Sequence, residues 1–208
     1  MFIDGYIIYY KKQYLNLHNI ALIISLVFHP MVVAPVAFSI LIFSGEQNFS
    51  FKNKIFLISI FFSTICSTGT VIYLRVLGKI SDLDGKMRKE RITPLVLGVI
   101  YYVFGFLSLL LLNAKPIVQG LMFCYAFNTL VTLIVTFRWK ISIHAIGLAG
   151  PLVALWLHGF QYPIVMISML TALCYSRIFL KLHTPSQVLL GAFFAITISY
   201  IQLKLFFL

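Results

Sequence analysis

Apolar residues run along this chain in long, nearly unbroken stretches, and charges, prolines and glycines fall between them. The stretches cover residues 19 to 43, 54 to 77, 94 to 112, 116 to 137, 143 to 158, 162 to 179 and 187 to 207. Such lengths are those of membrane helices, because backbone groups facing lipid must be hydrogen-bonded within their own segment. The pattern predicts an all-α integral membrane bundle of six to seven transmembrane helices, forming a single domain over 1–208. The fifth stretch is short for a full crossing. The first is long and contains His29, Pro30 and Pro35, so a kink or break is expected inside it. Residues 1–18 lack a short apolar core followed by a small-residue cleavage site. They read as an amphipathic, aromatic lead-in lying at the membrane interface.

Composition narrows the class further. Of 208 residues, 61% are apolar and 10% charged, and so few charges cannot coat a water-soluble domain of this size. Cys66, Cys124 and Cys174 all sit inside apolar stretches without metal-type spacing, which implies neither a disulfide framework nor a zinc site. The 20 Phe and 11 Tyr suit a lipid-facing surface with interfacial belts. Asn128 and Gln119, within a span, suit hydrogen bonds between helices.

Charge sorts the connections into two sets, because consecutive spans alternate direction. The N-terminus, 78 to 93, 138 to 142 and 180 to 186 form one set; 44 to 53, 113 to 115, 159 to 161 and the C-terminus form the other. In and beside the first set lie 12 Lys and Arg, against 4 in the second. The positive-inside rule then places the first set in the cytoplasm. High Phe, Ile, Lys and Asn contents point to a bacterial inner membrane.

The chemistry-bearing residues gather in that same basic set: GKISDLDGKMRKERITP at 78 to 94, RWKISIH at 138 to 144 and YSRIFLKLHTPSQ at 175 to 187. Of five histidines, His29 lies within a span and His158 falls on the opposite side, so His18, His144 and His183 are the ones expected to meet the basic loops. Converging Arg, Lys and Ser side chains suit a phosphate: Arg gives planar paired donors, Lys a point charge and Ser a neutral donor. Histidines beside them add proton transfer and a nucleophile that works without a metal, whereas a magnesium site needs several carboxylates. The acidic cluster is limited to Asp82, Asp84 and Glu90. No metal, cofactor or nucleic-acid partner is expected.

These residues carry a resemblance. The chain resembles the type 2 phosphatidic acid phosphatase superfamily of lipid phosphatases and vanadium haloperoxidases, marked by the motifs K-x6-R-P, P-S-G-H and S-R-x5-H-x3-D. Ser176 and Arg177 are followed after five residues by His183, and three more lead to Gln187, where the family has Asp. Ser142 and His144 keep the second motif's spacing, with Ile141 and Ile143 in place of Pro and Gly. Lys86 stands eight residues before Pro94, as the first motif requires, but Thr93 occupies the Arg position and Arg91 comes two residues early. The resemblance spans about 78 to 190. It implies that His183 attacks phosphorus to form a phosphohistidine, and that His144 protonates the leaving oxygen and later activates water. Lys86, Arg91, Ser142 and Arg177 would hold the phosphoryl oxygens. Gln187 would orient His183 through its amide oxygen without supplying charge.

Local sequence supports that placement independently. Thr184, Pro185 and Gln187 read as an N-cap, a proline at the first helical position and the third residue of a capping box. His183 would then stand just before a helix N-terminus, which favours an anion. Gln187 can thus cap, orient, or do both. The remaining basic residues, Lys89 and Lys140 among them, read first as topology determinants and anionic-lipid contacts.

Two rival enzyme patterns fail. Asp84, Gly85, Arg88, Lys89 and Gly98 are similar to the opening of the CDP-alcohol phosphotransferase signature, but its later aspartates would fall on Tyr102 and Phe106. A membrane prenyltransferase needs two Asp-rich motifs and more helices. The expectation is therefore a metal-independent membrane lipid phosphatase acting on a lipid phosphomonoester or diphosphate that enters laterally. Phosphatidic acid, phosphatidylglycerophosphate, an isoprenyl diphosphate and a phosphorylated lipid A type molecule are the candidates. The alternative is a catalytically weakened relative that binds or moves phospholipid headgroups.

Overall fold

A computed structural model describes residues 2–45, 48–81 and 87–208, with side chains of the first helix from Leu15 onward. Among the described residues every regular element is helical: α1 (Phe2–Val27), α2 (Pro30–Phe43), α3 (Phe49–Ile60), α4 (Cys66–Val76), α5 (Ile92–Leu111), α6 (Pro116–Thr136), α7 (Ile143–Leu157), α8 (Pro163–Phe179) and α9 (Pro185–Phe206). A π-helical turn, Phe61–Ile65, joins α3 to α4, so these run as one 28-residue helix, and a 3-10 turn, Lys89–Arg91, leads into α5.

Prolines start these helices where the sequence places them. α2, α6, α8 and α9 each open with a proline at the first turn, where its missing N–H costs nothing and its fixed φ suits a helix. The expected break in the first stretch falls at Phe28 and His29, and the segments on either side are bent by 44°. The sequence expected as an interfacial lead-in is continuous with α1.

Four helices are long and apolar enough to cross a membrane, or five if the bent pair counts as one span. The stretches expected at 143 to 158 and 162 to 179 form helices of 15 and 17 residues, shorter than the roughly 20 residues a full crossing takes. The exterior is apolar: Ile164, Leu111 and Val76 are about four-fifths exposed, an arrangement that suits lipid and not water.

The interior divides into two halves. Phe38, Leu41, Ile55, Leu109, Leu121, Met122 and Leu203 form an apolar core toward one end of the bundle. Beyond it α7 packs between α9 and α2, and α5 against α6. Small residues let these backbones approach: a Cβ on Gly147 of α7 would lie 2.6 Å from Pro30 Cγ of α2. Asn128 Nδ2 donates to Ser199 Oγ across α6 and α9 at 2.9 Å, as expected of a polar group between helices. Gln119 does not: its Nε2 donates to Ala114 O at 2.7 Å, just before its own helix, which binds the free carbonyl of the preceding loop.

The two sets of loops meet within themselves. Arg91 donates to Ile141 O at 3.0 Å, Lys140 to Leu182 O at 2.9 Å and Ser142 N to Gln187 O at 3.2 Å. On the other set Ser44 Oγ lies 2.6 Å from His158 Nε2.

Candidate functional site

The basic end is built from the starts of α7 and α9. Ser142 has an extended conformation, and its Oγ accepts the Ala145 N–H at 3.3 Å, capping α7. Its own N–H reaches Gln187 O, so the two helix starts are tied together. His144 follows in the first turn of α7 and is buried. Thr184 caps α9 by accepting the Gln187 N–H at 3.4 Å, while Gln187 Oε1 accepts the Thr184 N–H at 3.2 Å. This is the capping box read from the sequence.

Gln187 also meets the histidine before it. His183 Nδ1 lies 2.9 Å from Gln187 Oε1. Because the Thr184 N–H already points at that oxygen, the amide oxygen faces the imidazole, and an amide oxygen only accepts. His183 Nδ1 is therefore the donor, which leaves the lone pair on Nε2. That Nε2 is buried and takes no hydrogen bond among the described residues. Capping and orienting are both performed by one side chain.

Cations surround this nitrogen. Arg91 and Arg177 are almost fully buried; Arg177 donates to Ser25 Oγ at 2.8 Å, and Arg91 to the Ile141 carbonyl noted above. Burial foremost, then Arg91, Lys140 and Arg177, hold the His183 pKa down at about 3 against the Gln187 hydrogen bond, which raises it. His183 is neutral at physiological pH. Around His144 the charged and titratable groups are Arg177, His29, His183 and Arg91. His144, His183, Gln187, Ser142, Arg91 and Arg177 are thus brought to one place. Lys86 lies outside the described residues, as do Asp82 and Asp84.

Thr93, at the position of the motif arginine, is exposed, whereas Arg91 is buried toward the histidines. The substitution of register is local: the 3-10 turn at Lys89–Arg91 turns Arg91 inward and leaves Lys89 exposed.

The sequence misplaced one residue. His29, expected inside a span and away from the basic loops, caps α2 at the helix break and meets His144 edge-on, ring centroids 4.6 Å apart. The signal was present in His29 preceding Pro30, since a residue before a first-turn proline is an N-cap outside the helix. Lys140, read first as a topology charge and lipid contact, also acts electrostatically on His183 from its bond to Leu182 O.

A cavity of about 160 Å³ adjoins the site, lined by His29, His144, Arg91 and Glu90 at its polar part and by Tyr102 and Tyr125 among its deeper walls. His183 is not part of its lining. Glu90 accepts from both the N–H and the hydroxyl of Ser81 at 2.8 Å.

Comparisons of this chain with models of protein families, with curated proteins and with solved structures find no match in any of the three.

Proposed function

We propose that the protein is a metal-independent membrane lipid phosphatase that hydrolyses a phosphomonoester or diphosphate of a lipid through a phosphohistidine, as in the type 2 phosphatidic acid phosphatase superfamily it resembles. The observation that carries this reading is His183: neutral, with its proton fixed on Nδ1 by Gln187 and its bare Nε2 buried among Arg91, Lys140 and Arg177. A lone pair held beside preorganised cations is what attack on an anionic phosphoryl group requires.

In the first step Nε2 of His183 forms a bond to phosphorus as the bond to the lipid oxygen breaks. The electron pair leaves on that oxygen, which takes a proton from His144, whose imidazole has first accepted it from the substrate's monoprotonated phosphoryl group. In the second, His144 accepts a proton from water as the water oxygen attacks phosphorus and the N–P bond breaks. The products are the lipid alcohol and phosphate, and His183 is restored. Arg91, Arg177, Ser142 and Lys86 bind the phosphoryl oxygens and stabilise charge that grows on them.

The lipid enters sideways with its tail in the bilayer and its headgroup at the basic end. The apolar segments cross the membrane six to seven times in this reading, the Lys and Arg bias puts the basic end in the cytoplasm, and the Phe, Ile, Lys and Asn contents point to a bacterial inner membrane.

One observation favours a second reading. Gln187 supplies no negative charge to His183, so the protein could be a weakened relative that binds or moves phospholipid headgroups. Phosphate release from detergent-solubilised lipid phosphates in EDTA separates the two. The phosphatase reading expects release that is lost in His183→Ala; release that needs magnesium, or that persists in the variant, refutes it. A panel of the four candidate lipids then identifies the substrate.

A further inference from the structure

The proposed chemistry uses two histidines, and a third stands against them. His29 Nδ1 accepts the Met31 N–H at 3.1 Å, so that nitrogen carries the lone pair and the neutral ring bears its proton on Nε2. The ring meets His144 at 90° with centroids 4.6 Å apart. The backbones carrying the two rings are fixed to each other. Pro30 follows His29, and Gly147 lies one turn beyond His144 at the point where a Cβ would collide with the proline ring. The histidine pair is therefore built into the α2–α7 crossing.

Both rings line the 160 Å³ cavity, and His183 does not. Displacement at phosphorus places nucleophile and leaving oxygen on opposite sides. With His183 attacking, the leaving oxygen departs on the far side, toward His144 and the cavity. Deeper in that cavity the Tyr125 hydroxyl is buried without a hydrogen-bond partner among the described residues, an unmet polar group that a ligand would satisfy.

We propose that this cavity receives the alcohol half of the substrate, and that His29 is a positioning residue that holds the His144 ring toward the leaving oxygen. The inference rests on the phosphatase reading. As the P–O bond breaks, the proton of His144 passes to the alkoxide oxygen, while His29 keeps its own proton and limits the rotation of the ring beside it.

The test is the dependence of rate on the leaving group. An alkyl phosphate expels an alkoxide that must be protonated, whereas p-nitrophenyl phosphate expels a phenolate that need not be. His29→Asn keeps an acceptor for the Met31 N–H and removes the ring. The ratio of alkyl to aryl kcat should fall about tenfold, a part of the roughly 10²–10⁴-fold attributed to a general acid itself, with the change in kcat and not in KM. Gly147→Ala, which forces α2 from α7 at Pro30 without touching either ring, should lower the same ratio and covers the case in which the Asn variant does not fold. An equal loss on both substrates, or a loss confined to KM, overturns the proposal. His183→Ala separates the levels: if it abolishes release while the ratio in the His29 and Gly147 variants is unchanged, only the role of His29 falls; if release persists, the phosphatase reading falls with it.

Discussion

At the end of the bundle where α2 stops, Lys115 Nζ donates to Ser44 O and, at 3.4 Å, to Leu41 O, and Lys52 Nζ donates to Gly45 O and, at 3.4 Å, to Phe43 O. Two ammonium groups thus cover the carbonyl end of one helix, where positive charge is favourable. Burial first, and Lys52 second, hold the Lys115 pKa below its ordinary value, but the carbonyls supply the compensation. At the opposite end Arg91, Lys140 and Arg177 gather where α7 and α9 begin. The starts of α7 and α9 are themselves positive, although α8 brings its negative end, with Arg177 in the last turn, to the same place. Bonds to the Ile141 and Leu182 carbonyls position Arg91 and Lys140 without cancelling the charge. Counting Lys and Arg does not distinguish a structural cation from a ligand; for Arg91 and Lys140 against Lys52 and Lys115 the polarity of the neighbouring helix ends does, while Arg177 lies in the last turn of α8 and points from there to Ser25.

If the histidine at the positive end is dispensable, the two ends of the bundle do not differ in function. His183→Asn leaves the Thr184 and Gln187 cap in place and removes the nucleophilic nitrogen, so kcat should drop by about a thousandfold or more. Acid-quenched reactions should no longer contain phosphoenzyme. Next in size is Arg91→Met, which keeps the apolar stem and deletes one phosphate donor; kcat/KM should fall about a hundredfold. If Lys115→Met at the other end costs as much activity, the distinction between the two ends is wrong.

Much of this contrast was legible beforehand, and the failures have physical causes. Pro30 gave the break before α2, and the Thr184, Pro185 and Gln187 signature gave the start and cap of α9, because these effects act within four or five residues. Arg91 was legible only as a misplaced motif arginine, since its inward turn depends on a 3-10 turn that composition does not encode. His29 was missed for another reason. Its place follows from how deeply α2 and α7 interpenetrate at Pro30 and Gly147, which is a packing fact between residues more than a hundred positions apart. The shortness of α7 was visible in its stretch and that of α8 was not, and length does not say whether a helix end is recessed behind its neighbours.

Smaller effects sharpen the positive end. Gln187→Glu preserves length and both acceptor contacts while adding the charge that the family's aspartate would provide. The carboxylate favours the imidazolium, so the His183 pKa should rise from about 3. A charge-assisted bond that strengthens as positive charge builds on the ring should raise kcat about tenfold. An unchanged or lower kcat would mean that Gln187 serves only the cap. At the negative end, Lys115→Met should leave kcat/KM intact and remove about 1 kcal/mol of helix-end stabilisation, lowering Tm by about 2–4 °C.

The smallest effect is a slope. His183 is neutral in the folded protein down to a pKa of about 3, but once unfolded it takes up a proton near pH 6.5. Between those values the unfolded chain binds more protons than the native one, so stability rises with pH across that window and is lost as pH falls through it. Thermal unfolding in detergent should therefore show Tm declining from pH 6.5 toward 4.5, and the decline should be shallower in His183→Gln. The groups that set the depressed value are Arg91, Lys140 and Arg177, together with burial, and inorganic phosphate binding among them should raise it and flatten the parent's slope in the same way. Equal slopes in parent and variant would mean that His183 titrates in the native state as it does in the unfolded chain, so that neither burial nor Arg91, Lys140 and Arg177 act on its ring.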